Sequence, residues 1–367
     1  MFYFSIFNTF FINYGITNLP SLIKEVAAKL NQFIPLTLSP IMLTDQYNRQ
    51  HNYLRISLTD QCNLRCNYCM PLESYSFMPP AQLMQAAEIL EIAKVFTSLG
   101  TTKIRLTGGE PLVRKDADSI IQSLSALPVK LSLTTNGVRV HEFIETFKQA
   151  GIRSLNLSLD TLSADKFQLL TKRNNFNRVW ENIQLLLQNG FHVKLNMVVM
   201  KGINHTEIND FINLTRFSPL HIRFIEFMPF TGNKWASEKV FTLHEMLELI
   251  QTKYTITKLE DAPQDTAKKY TVPGHAGSFA VISTLSAPFC ASCNRMRLTA
   301  DGKMKNCLFS KTETDLLSSL RNGGNIEALI RKNILDKEAE RGGQFLTDFV
   351  HLHSEDMTNR SMIAIGG

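Results

Sequence analysis

Extended and helical segments alternate six times between residues 53 and 227, and this alternation limits the fold more than any other feature. The predicted strands are short, apolar and β-branched, at 53–58, 103–106, 130–134, 153–159, 191–200 and 221–227. Segments with helical spacing of apolar residues separate or follow them, at 80–99, 114–127, 139–150, 163–172, 176–189 and 205–216. Consecutive strand–helix units of this kind predict a parallel sheet covered by helices.

The regular alternation ends near residue 240. Helices are predicted at 242–254 and 313–335, with short strands and turns over 256–310. We therefore expect two regions, 42–240 and 241–367. Residues 1–41 differ from both, and we expect an N-terminal extension or a mis-annotated start with Met42 as the natural one. This segment lacks the basic n-region of a signal peptide and the arginines of a mitochondrial presequence.

Three cysteines follow the first predicted strand with the spacing C-x3-C-x2-C, at Cys62, Cys66 and Cys69. An all-cysteine [4Fe–4S] cluster uses four thiolates, so three thiolates leave one iron without a protein ligand. Metal sites that perform chemistry keep such an open position. A zinc knuckle would need a fourth ligand nearby, and no histidine lies near in sequence. Disulfides would leave one of the three unpaired, so the spacing favours a reactive iron–sulfur cluster.

A second set of three cysteines lies in the C-terminal region, at Cys290, Cys293 and Cys307. The run Cys293-Asn-Arg-Met-Arg places two arginines directly after its second cysteine. Three thiolates again leave one iron open in a cluster. A structural zinc site completed by a distant histidine such as His275 stays an alternative.

The first cysteine loop, with Tyr68 before its third cysteine, resembles that of the radical S-adenosylmethionine (SAM) enzymes. The two cysteine sets together, the Cys-Asn-Arg-x-Arg run and the terminal Gly-Gly resemble the GTP 3′,8-cyclase family of molybdenum-cofactor biosynthesis over residues 42–367. This resemblance implies an α/β fold, a partial (β/α)6 TIM-like barrel of the radical SAM type. Its C-terminal α+β region would carry a second iron–sulfur cluster. The motifs fall on loops after strands, where barrel enzymes place their active sites.

The resemblance implies two [4Fe–4S] clusters and SAM as cofactors. The activity it implies is cyclisation of GTP to (8S)-3′,8-cyclo-7,8-dihydroguanosine 5′-triphosphate, an early step of molybdenum-cofactor biosynthesis. A 5′-deoxyadenosyl radical formed from SAM would take the 3′ hydrogen of GTP. The implied partners are an electron donor such as flavodoxin or ferredoxin and a downstream cyclic pyranopterin monophosphate synthase. A homodimer is one expected assembly, and a cytoplasmic location without nucleic-acid or membrane binding is expected.

The resemblance also implies roles for individual residues. The first cysteine set would hold the cluster that binds SAM, and the second set would hold a cluster whose open iron contacts guanine. The residues expected to contact SAM are Tyr68, Gly109, Ser158 and Met228. The residues expected to bind GTP are Arg55, Arg105, Thr134, Lys194, Arg295 and Arg297. The expected catalytic group consists of Arg295, Arg297 and the tail residues Gly366 and Gly367.

The chemistry of these residue types agrees with a nucleotide substrate. Arginine binds phosphate oxygens with paired hydrogen bonds, and lysine acts as a point charge. Arg55, Arg105 and Lys194 lie on predicted strands, where a cation is a poor core residue unless it faces a polar interior. The net charge of +6 suits a small anionic substrate and is too small to indicate nucleic acid.

Two alternatives stay open. A radical SAM peptide-modifying enzyme with an auxiliary cluster is one, although such enzymes usually carry a longer C-terminal cysteine array than the three found here. A zinc-dependent nucleic-acid-binding protein is the other, and it would be colourless when purified anaerobically, whereas an iron–sulfur protein is brown.

Overall fold

The structure is a computed structural model that describes residues 42–70, 75–344, 349–352 and 357–366. The expectations for residues 1–41 and for Gly367 lie outside the described residues. The described residues belong to one compact unit that begins at Met42. The expected division into regions 42–240 and 241–367 stays a prediction.

One sheet runs through the described residues. Its strands are β1 (Tyr53–Ser57), β2 (Lys103–Thr107), β3 (Lys130–Thr135), β4 (Ser154–Ser158), β5 (His192–Val199), β6 (His221–Glu226), β7 (Thr257–Lys258), β8 (Lys268–Thr271), β9 (Ser278–Ile282), β10 (Arg295–Leu298), β11 (Lys303–Lys305) and β12 (Thr314–Asp315). Their order across the sheet is β12-β11-β10-β1-β2-β3-β4-β5-β6-β9-β8-β7.

The α-helices of the described residues are α1 (Ala86–Ser98), α2 (Ala117–Ser125), α3 (Ile144–Gln149), α4 (Ala164–Thr171), α5 (Phe176–Gln188), α6 (Ile208–Leu214), α7 (Leu243–Gln251), α8 (Leu316–Arg321), α9 (Ile326–Leu335) and α10 (Met362–Ile365). Short 3₁₀ turns lie at Pro80–Gln82, Pro111–Val113, Val140–Glu142, His205–Glu207, Ser237–Lys239, Cys290–Ser292, Arg341–Gly343 and Phe349–His351. No helix in this part of the chain has both the length and the apolar character needed to cross a membrane.

The first six strands are parallel and neighbour one another in chain order, which confirms the predicted strand–helix units. The C-terminal region then adds one parallel strand on each side, β10 beside β1 and β9 beside β6. Antiparallel pairs complete both ends of the sheet, β11–β12 at one and β8–β7 at the other. Cys290 and Cys293 therefore lie directly before β10, the strand that pairs with the strand preceding the first set, and Cys307 follows β11.

Alternate residues of the parallel strands point to opposite faces of the sheet. On β1 and β2, one face carries Leu54, Ile56, Ile104 and Leu106, which are fully buried in the main hydrophobic core. The neighbouring positions on the same strands carry polar and charged residues. This alternation packs the helices against one face and leaves the other face polar.

The single helix predicted over 313–335 is wrong. Residues 314–315 form β12, and α8 and α9 follow as separate helices. The break falls at Asn322-Gly323-Gly324-Asn325, where Gly323 has a φ of 68° that favours glycine. The Asn325 side chain accepts a hydrogen bond from the Ala328 amide at 3.2 Å and so caps the start of α9.

Candidate functional site

A cavity of about 660 Å³ lies on the polar face of the sheet. All six cysteines line it, three from the loop after β1 and three from around β10. The predicted ligand-contacting residues line it as well: Tyr68, Gly109, Ser158, Met228, Arg55, Arg105, Thr134, Lys194, Arg295 and Arg297. The fold thus brings together side chains that are separated by more than 240 positions in sequence.

The first cysteine loop is anchored to the end of α4. The Arg65 amide donates to the Thr171 carbonyl at 2.9 Å, and the Asn67 amide donates to the Leu170 carbonyl at 3.0 Å. A tight turn connects the second and third cysteines, because the Cys69 amide donates to the Cys66 carbonyl at 3.0 Å. These bonds hold the loop across the cavity, with all three thiols half-buried.

The loop Gly108-Gly109-Glu110-Pro111 packs directly on this cysteine loop. The Gly109 amide donates to the Thr59 carbonyl at 2.7 Å, and the Glu110 amide donates to the Gln61 carbonyl at 2.7 Å. A Cβ atom at Gly108 or Gly109 would lie 2.6 Å from the Thr59 or Asp60 carbonyl oxygen, respectively. The close approach of two backbones therefore requires both glycines, a steric reason that the sequence argument did not include.

Glu110 connects this loop to the first cysteine set. Its buried carboxylate accepts hydrogen bonds from Thr135 Oγ1 at 2.7 Å and from the Asn136 amide at 2.6 Å. The Asn136 side-chain Nδ2 then lies 3.7 Å from Cys62 Sγ. Burial raises the pKa of Glu110 to about 7. The sequence analysis did not single out Glu110 or Asn136.

Tyr68 is held in place by a second buried carboxylate. Its hydroxyl donates to Asp160 Oδ2 at 2.5 Å, and the Val198 amide donates to Asp160 Oδ1 at 2.9 Å. Burial raises the pKa of Asp160 to about 6. Tyr68 thus lies in a fixed orientation beside the cysteines in the cavity wall.

The three thiols of the first set lie close enough to influence each other. Burial, followed by the charge of Glu110, raises the pKa of Cys62 to about 11. Burial and then Cys69 raise the pKa of Cys66, and burial and then Cys62 raise that of Cys69. Three free thiols on one loop supply three soft ligands, which fits a [4Fe–4S] cluster with one open iron.

The second cysteine set lies beside two positive groups. The Cys293 sulfur accepts a hydrogen bond from Lys337 Nζ at 3.7 Å, and the Cys290 carbonyl accepts one from Arg49 Nη1 at 3.0 Å. Burial alone would raise the pKa of Cys293, but Arg295 and Lys337 lower it to about 6. Burial raises the pKa of Cys290.

The second set also contains three free thiols that line the cavity, so its donors fit a cluster as those of the first set do. In the part of the chain that the structure describes, no three Cys, His, Asp or Glu side chains converge as ligands of a single metal ion. His275, the distant zinc ligand considered from the sequence, lies elsewhere: its Nδ1 is 2.8 Å from Thr215 Oγ1, and it does not line the cavity.

Cations occupy paired positions across neighbouring strands of the cavity wall. Arg55 on β1 pairs in register with Arg297 on β10 and with Arg105 on β2. Burial, followed by Arg297, lowers the pKa of Arg55 well below its usual range, and burial followed by Arg295 lowers that of Arg297 to about 10. Positive charges that lower one another's pKa in this way form a site for an anion.

Two further cations line the cavity, Lys194 on β5 and Arg223 on β6. Burial, followed by Arg223, lowers the pKa of Lys194 to about 8. Burial, followed by Arg105, lowers the pKa of Arg223 to about 10. Arg223 was missed from the sequence, although it alternates with buried apolar residues in His221-Ile-Arg-Phe as Arg55 does in Tyr53-Leu-Arg-Ile. The same alternation would have found Lys103, which also lines the cavity.

The C-terminal tail enters the site next to this row of arginines. Arg297 Nη1 donates to the Gly366 carbonyl at 2.6 Å, and Gly366 is buried. A Cβ atom at Gly366 would lie 2.8 Å from both Ser57 Cβ and Thr107 Oγ1. Residues Met362 and Ile363 of α10 line the cavity. Gly366 is not itself a lining residue, but Arg297, which donates to its carbonyl, lines the cavity.

Two family models match consecutive parts of the chain. The Radical SAM superfamily matches residues 56–215, and Molybdenum Cofactor Synthesis C matches residues 220–342. The Arabidopsis thaliana protein named "GTP 3′,8-cyclase, mitochondrial" is 44% identical over 333 residues, which cover 89% of this chain and 84% of that protein. The chain belongs to the GTP 3′,8-cyclase family. A "GTP 3′,8-cyclase" of Desulforamulus reducens is 40% identical over 334 residues, 89% of this chain and 100% of that protein.

Other relatives of the chain are longer. The human "Molybdenum cofactor biosynthesis protein 1" is 40% identical over 351 residues, which cover 93% of this chain but 54% of the human protein. The chain thus spans about half the length of such relatives. Among solved structures, Streptococcus suis SuiB superimposes with a TM-score of 0.54 at 16% identity, covering 90% of this chain and 80% of that one. This likeness and the match to the Radical SAM superfamily together confirm the expected α/β fold of the radical SAM type.

Proposed function

We propose that this chain converts GTP to (8S)-3′,8-cyclo-7,8-dihydroguanosine 5′-triphosphate in an early step of molybdenum-cofactor biosynthesis. Bound SAM would supply the radical that removes the 3′ hydrogen of GTP, and the ribose carbon would then join C8 of guanine, with one further electron from the reductant and a proton completing the dihydro product. The observation that carries the proposal is the single cavity lined by both cysteine sets and by cations from several strands. Family membership and this cavity together support a nucleotide substrate and a radical SAM reaction.

The cavity cations are suited to a triphosphate. Arg55, Arg105 and Arg297 lie side by side in register, and each guanidinium can form paired hydrogen bonds with phosphate oxygens. Lys194 on β5 and Arg223 on β6 would complete the phosphate contacts. Because these charges depress one another's pKa when no anion is present, a polyanion would relieve their repulsion on binding.

Cys62, Cys66 and Cys69 would hold the cluster that binds SAM. When bound and reduced, this cluster supplies the electron that cleaves SAM to the 5′-deoxyadenosyl radical. Tyr68, Gly109, Ser158 and Met228 line the same cavity and would orient SAM. Glu110 and Asn136 support the cysteine loop, because Glu110 accepts a hydrogen bond from the Asn136 amide and Asn136 Nδ2 lies beside Cys62 Sγ.

Cys290, Cys293 and Cys307 would hold a second [4Fe–4S] cluster, whose open iron would orient the guanine base. Arg295 and Arg297, which lie between Cys293 and Cys307 in sequence, would hold the substrate between the two clusters. The Gly366 carbonyl on Arg297 supports a role for the tail in placing this arginine. The role of Gly367 stays a prediction.

The protein partners and the location stay predictions. An electron donor such as flavodoxin or ferredoxin, a downstream cyclic pyranopterin monophosphate synthase and a homodimer are expected. A cytoplasmic location is expected as well, although the Arabidopsis relative is named as mitochondrial.

An anaerobic turnover tests the proposal. The protein is reconstituted with iron and sulfide, reduced with dithionite, and supplied with SAM and GTP deuterated at C3′. We expect deuterium in the 5′-deoxyadenosine and a cyclised product of GTP, both measured by mass spectrometry. Unlabelled 5′-deoxyadenosine would reject GTP as the substrate. No 5′-deoxyadenosine from protein with intact clusters would reject radical SAM chemistry altogether.

A further inference from the structure

Lys337 is a buried ammonium group beside the second cysteine set. It lies two residues after α9, and only 2% of its surface is exposed. Its Nζ donates to Cys293 Sγ at 3.7 Å and to the Arg295 carbonyl at 3.2 Å. One charged side chain thus contacts both a cysteine of the set and the backbone of the adjacent arginine.

No carboxylate of the described residues forms an ion pair with Lys337. Asp45 belongs to the N-terminal segment that contacts Lys337, where the Gln46 side chain donates to the Lys337 carbonyl at 3.1 Å. However, the Asp45 carboxylate is already bound by Arg49 Nε at 2.6 Å and by His51 Nε2 at 2.9 Å. Glu338 and Glu340 follow Lys337 in the chain and are exposed to solvent.

A buried charge without an opposite charge costs several kcal/mol or more, so buried lysines are almost always paired. Of the two groups that accept hydrogen bonds from Lys337 Nζ, the sulfur of Cys293 is the one that can carry negative charge. A thiolate ligand would therefore supply the missing partner. The surroundings of this set are suited to hold negative charge.

The first cysteine set has different surroundings. The Cys62 sulfur faces the neutral amide of Asn136 at 3.7 Å, and the buried carboxylate of Glu110 lies behind that residue. Arg65 donates to the Cys62 carbonyl rather than to its sulfur. A positive charge near a cluster raises its reduction potential, and a negative charge lowers it.

We propose that Lys337 is a positioning residue for the second cluster, stabilising the Cys293 thiolate and raising the reduction potential of the cluster that this set holds. The inference rests on the proposed second cluster. Its consequence is that the two clusters of one chain differ in potential because their nearest charges differ in sign.

The test compares Lys337→Met, which removes the charge, with Lys337→Arg, which keeps it. Lys332→Met is the matched control, because Lys332 lies on α9 with its side chain 72% exposed and paired with Asp336. Each variant is also made with Cys62, Cys66 and Cys69 replaced by alanine, which isolates the second cluster. Iron content and the midpoint potential of the reduced cluster's paramagnetic resonance signal are measured under anaerobic conditions.

We expect the second cluster of Lys337→Met to keep its iron with a lower midpoint potential, while Lys337→Arg and Lys332→Met stay near the parent. Loss of this cluster in Lys337→Met but not in Lys337→Arg would also support the role of charge. An unchanged potential in Lys337→Met would overturn the inference, as would cluster loss in both Lys337 variants. A parent that holds about four rather than about eight irons per chain would instead reject the second cluster itself.

Discussion

At the scale of single residues, the cavity depends on where cations interrupt apolar strands. Arg55, Arg105 and Arg223 each lie between buried aliphatic or aromatic neighbours on their strands. The neighbours pack against the helices, so the arginine must point to the other face. The burial of its neighbours therefore fixes the face of the sheet to which each guanidinium points.

Arg223→Gln is expected to weaken GTP binding roughly ten- to hundred-fold, because a hydrogen bond to a charged group is worth about 1.5–3 kcal/mol. Equilibrium binding of GTP to the reconstituted protein measures the effect. Arg216→Gln is the control, since Arg216 lies on the exposed ring of Phe217 and outside the cavity. Equal affinities for the parent and Arg223→Gln would exclude Arg223 from the substrate site.

Much of this residue pattern could be predicted from the sequence, and the remainder could not. The strand alternation around Arg55 and Arg105 is local, and it also marks Arg223. The hydrogen bonds from the Asn136 amide to Glu110 and from Arg49 to the Cys290 carbonyl connect residues 26 and 241 positions apart. No local periodicity indicates such contacts, because they depend on how distant loops meet.

At the scale of elements, the C-terminal turn α10 is followed by Gly366, which packs against the neighbouring strands β1 and β2. Gly366 has a φ of 86° and lies against Ser57 of β1 and Thr107 of β2. Tyr75 and Ser361 connect the start of this turn to the segment after the first cysteine loop, with 2.7 Å between their hydroxyl oxygens. The element is thereby fixed at both ends although it contains a single helical turn.

Gly366→Ala is expected to displace the tail and to lower the cyclisation rate roughly hundred-fold, the usual cost of moving a catalytic contact by about 1 Å. Gly202→Ala is the matched control, because Gly202 has a φ of 77° but nothing within 4 Å of an added Cβ. Both variants place an alanine at a positive φ, which costs about 1 kcal/mol or more. Turnover and hydrogen exchange of residues 357–366 measure the difference, and a tail still protected in Gly366→Ala would contradict the fit.

Elements of the C-terminal region were harder to predict than those of the barrel. β10 and β9 are four and five residues long and are stabilised by pairing with β1 and β6. Such short segments carry little periodicity, so their parallel pairing could not be predicted. The break between α8 and α9 was different, because Asn322-Gly323-Gly324-Asn325 is a recognisable helix boundary.

At the scale of the whole molecule, the charge of the cavity is a property of the complete sheet. Its cations come from β10, β1, β2, β5 and β6, and no one strand carries enough charge to hold a triphosphate. Two residues that line the cavity, Lys194 and Tyr53, have pKa values near neutral pH. Burial and Arg223 lower the pKa of Lys194 to about 8, whereas Arg105 and Arg55 overcome burial and lower the pKa of Tyr53 to about 7.

These two groups make GTP binding depend on pH with a definite sign. As pH rises from 7 to 9, Lys194 loses its positive charge and Tyr53 gains a negative one, so the cavity attracts an anion less. The charge of GTP changes little in this range, since a terminal phosphate has its second pKa at about 6. Affinity should therefore fall by several-fold or more across the window, by up to about tenfold per pH unit for each proton whose uptake is coupled to binding.

Binding of GTP measured between pH 7 and pH 9 tests this dependence, with Lys194→Met expected to bind more weakly and with a flatter profile. Lys201→Met should keep the parent profile, because Lys201 is exposed and paired with Glu245. Stability of the ligand-free protein should change in the opposite direction. Between its folded pKa of about 8 and its ordinary value of 10.5, Lys194 binds more protons when unfolded, so its contribution to stability rises with pH. A parallel fall in stability and affinity would contradict the assignment of both effects to Lys194.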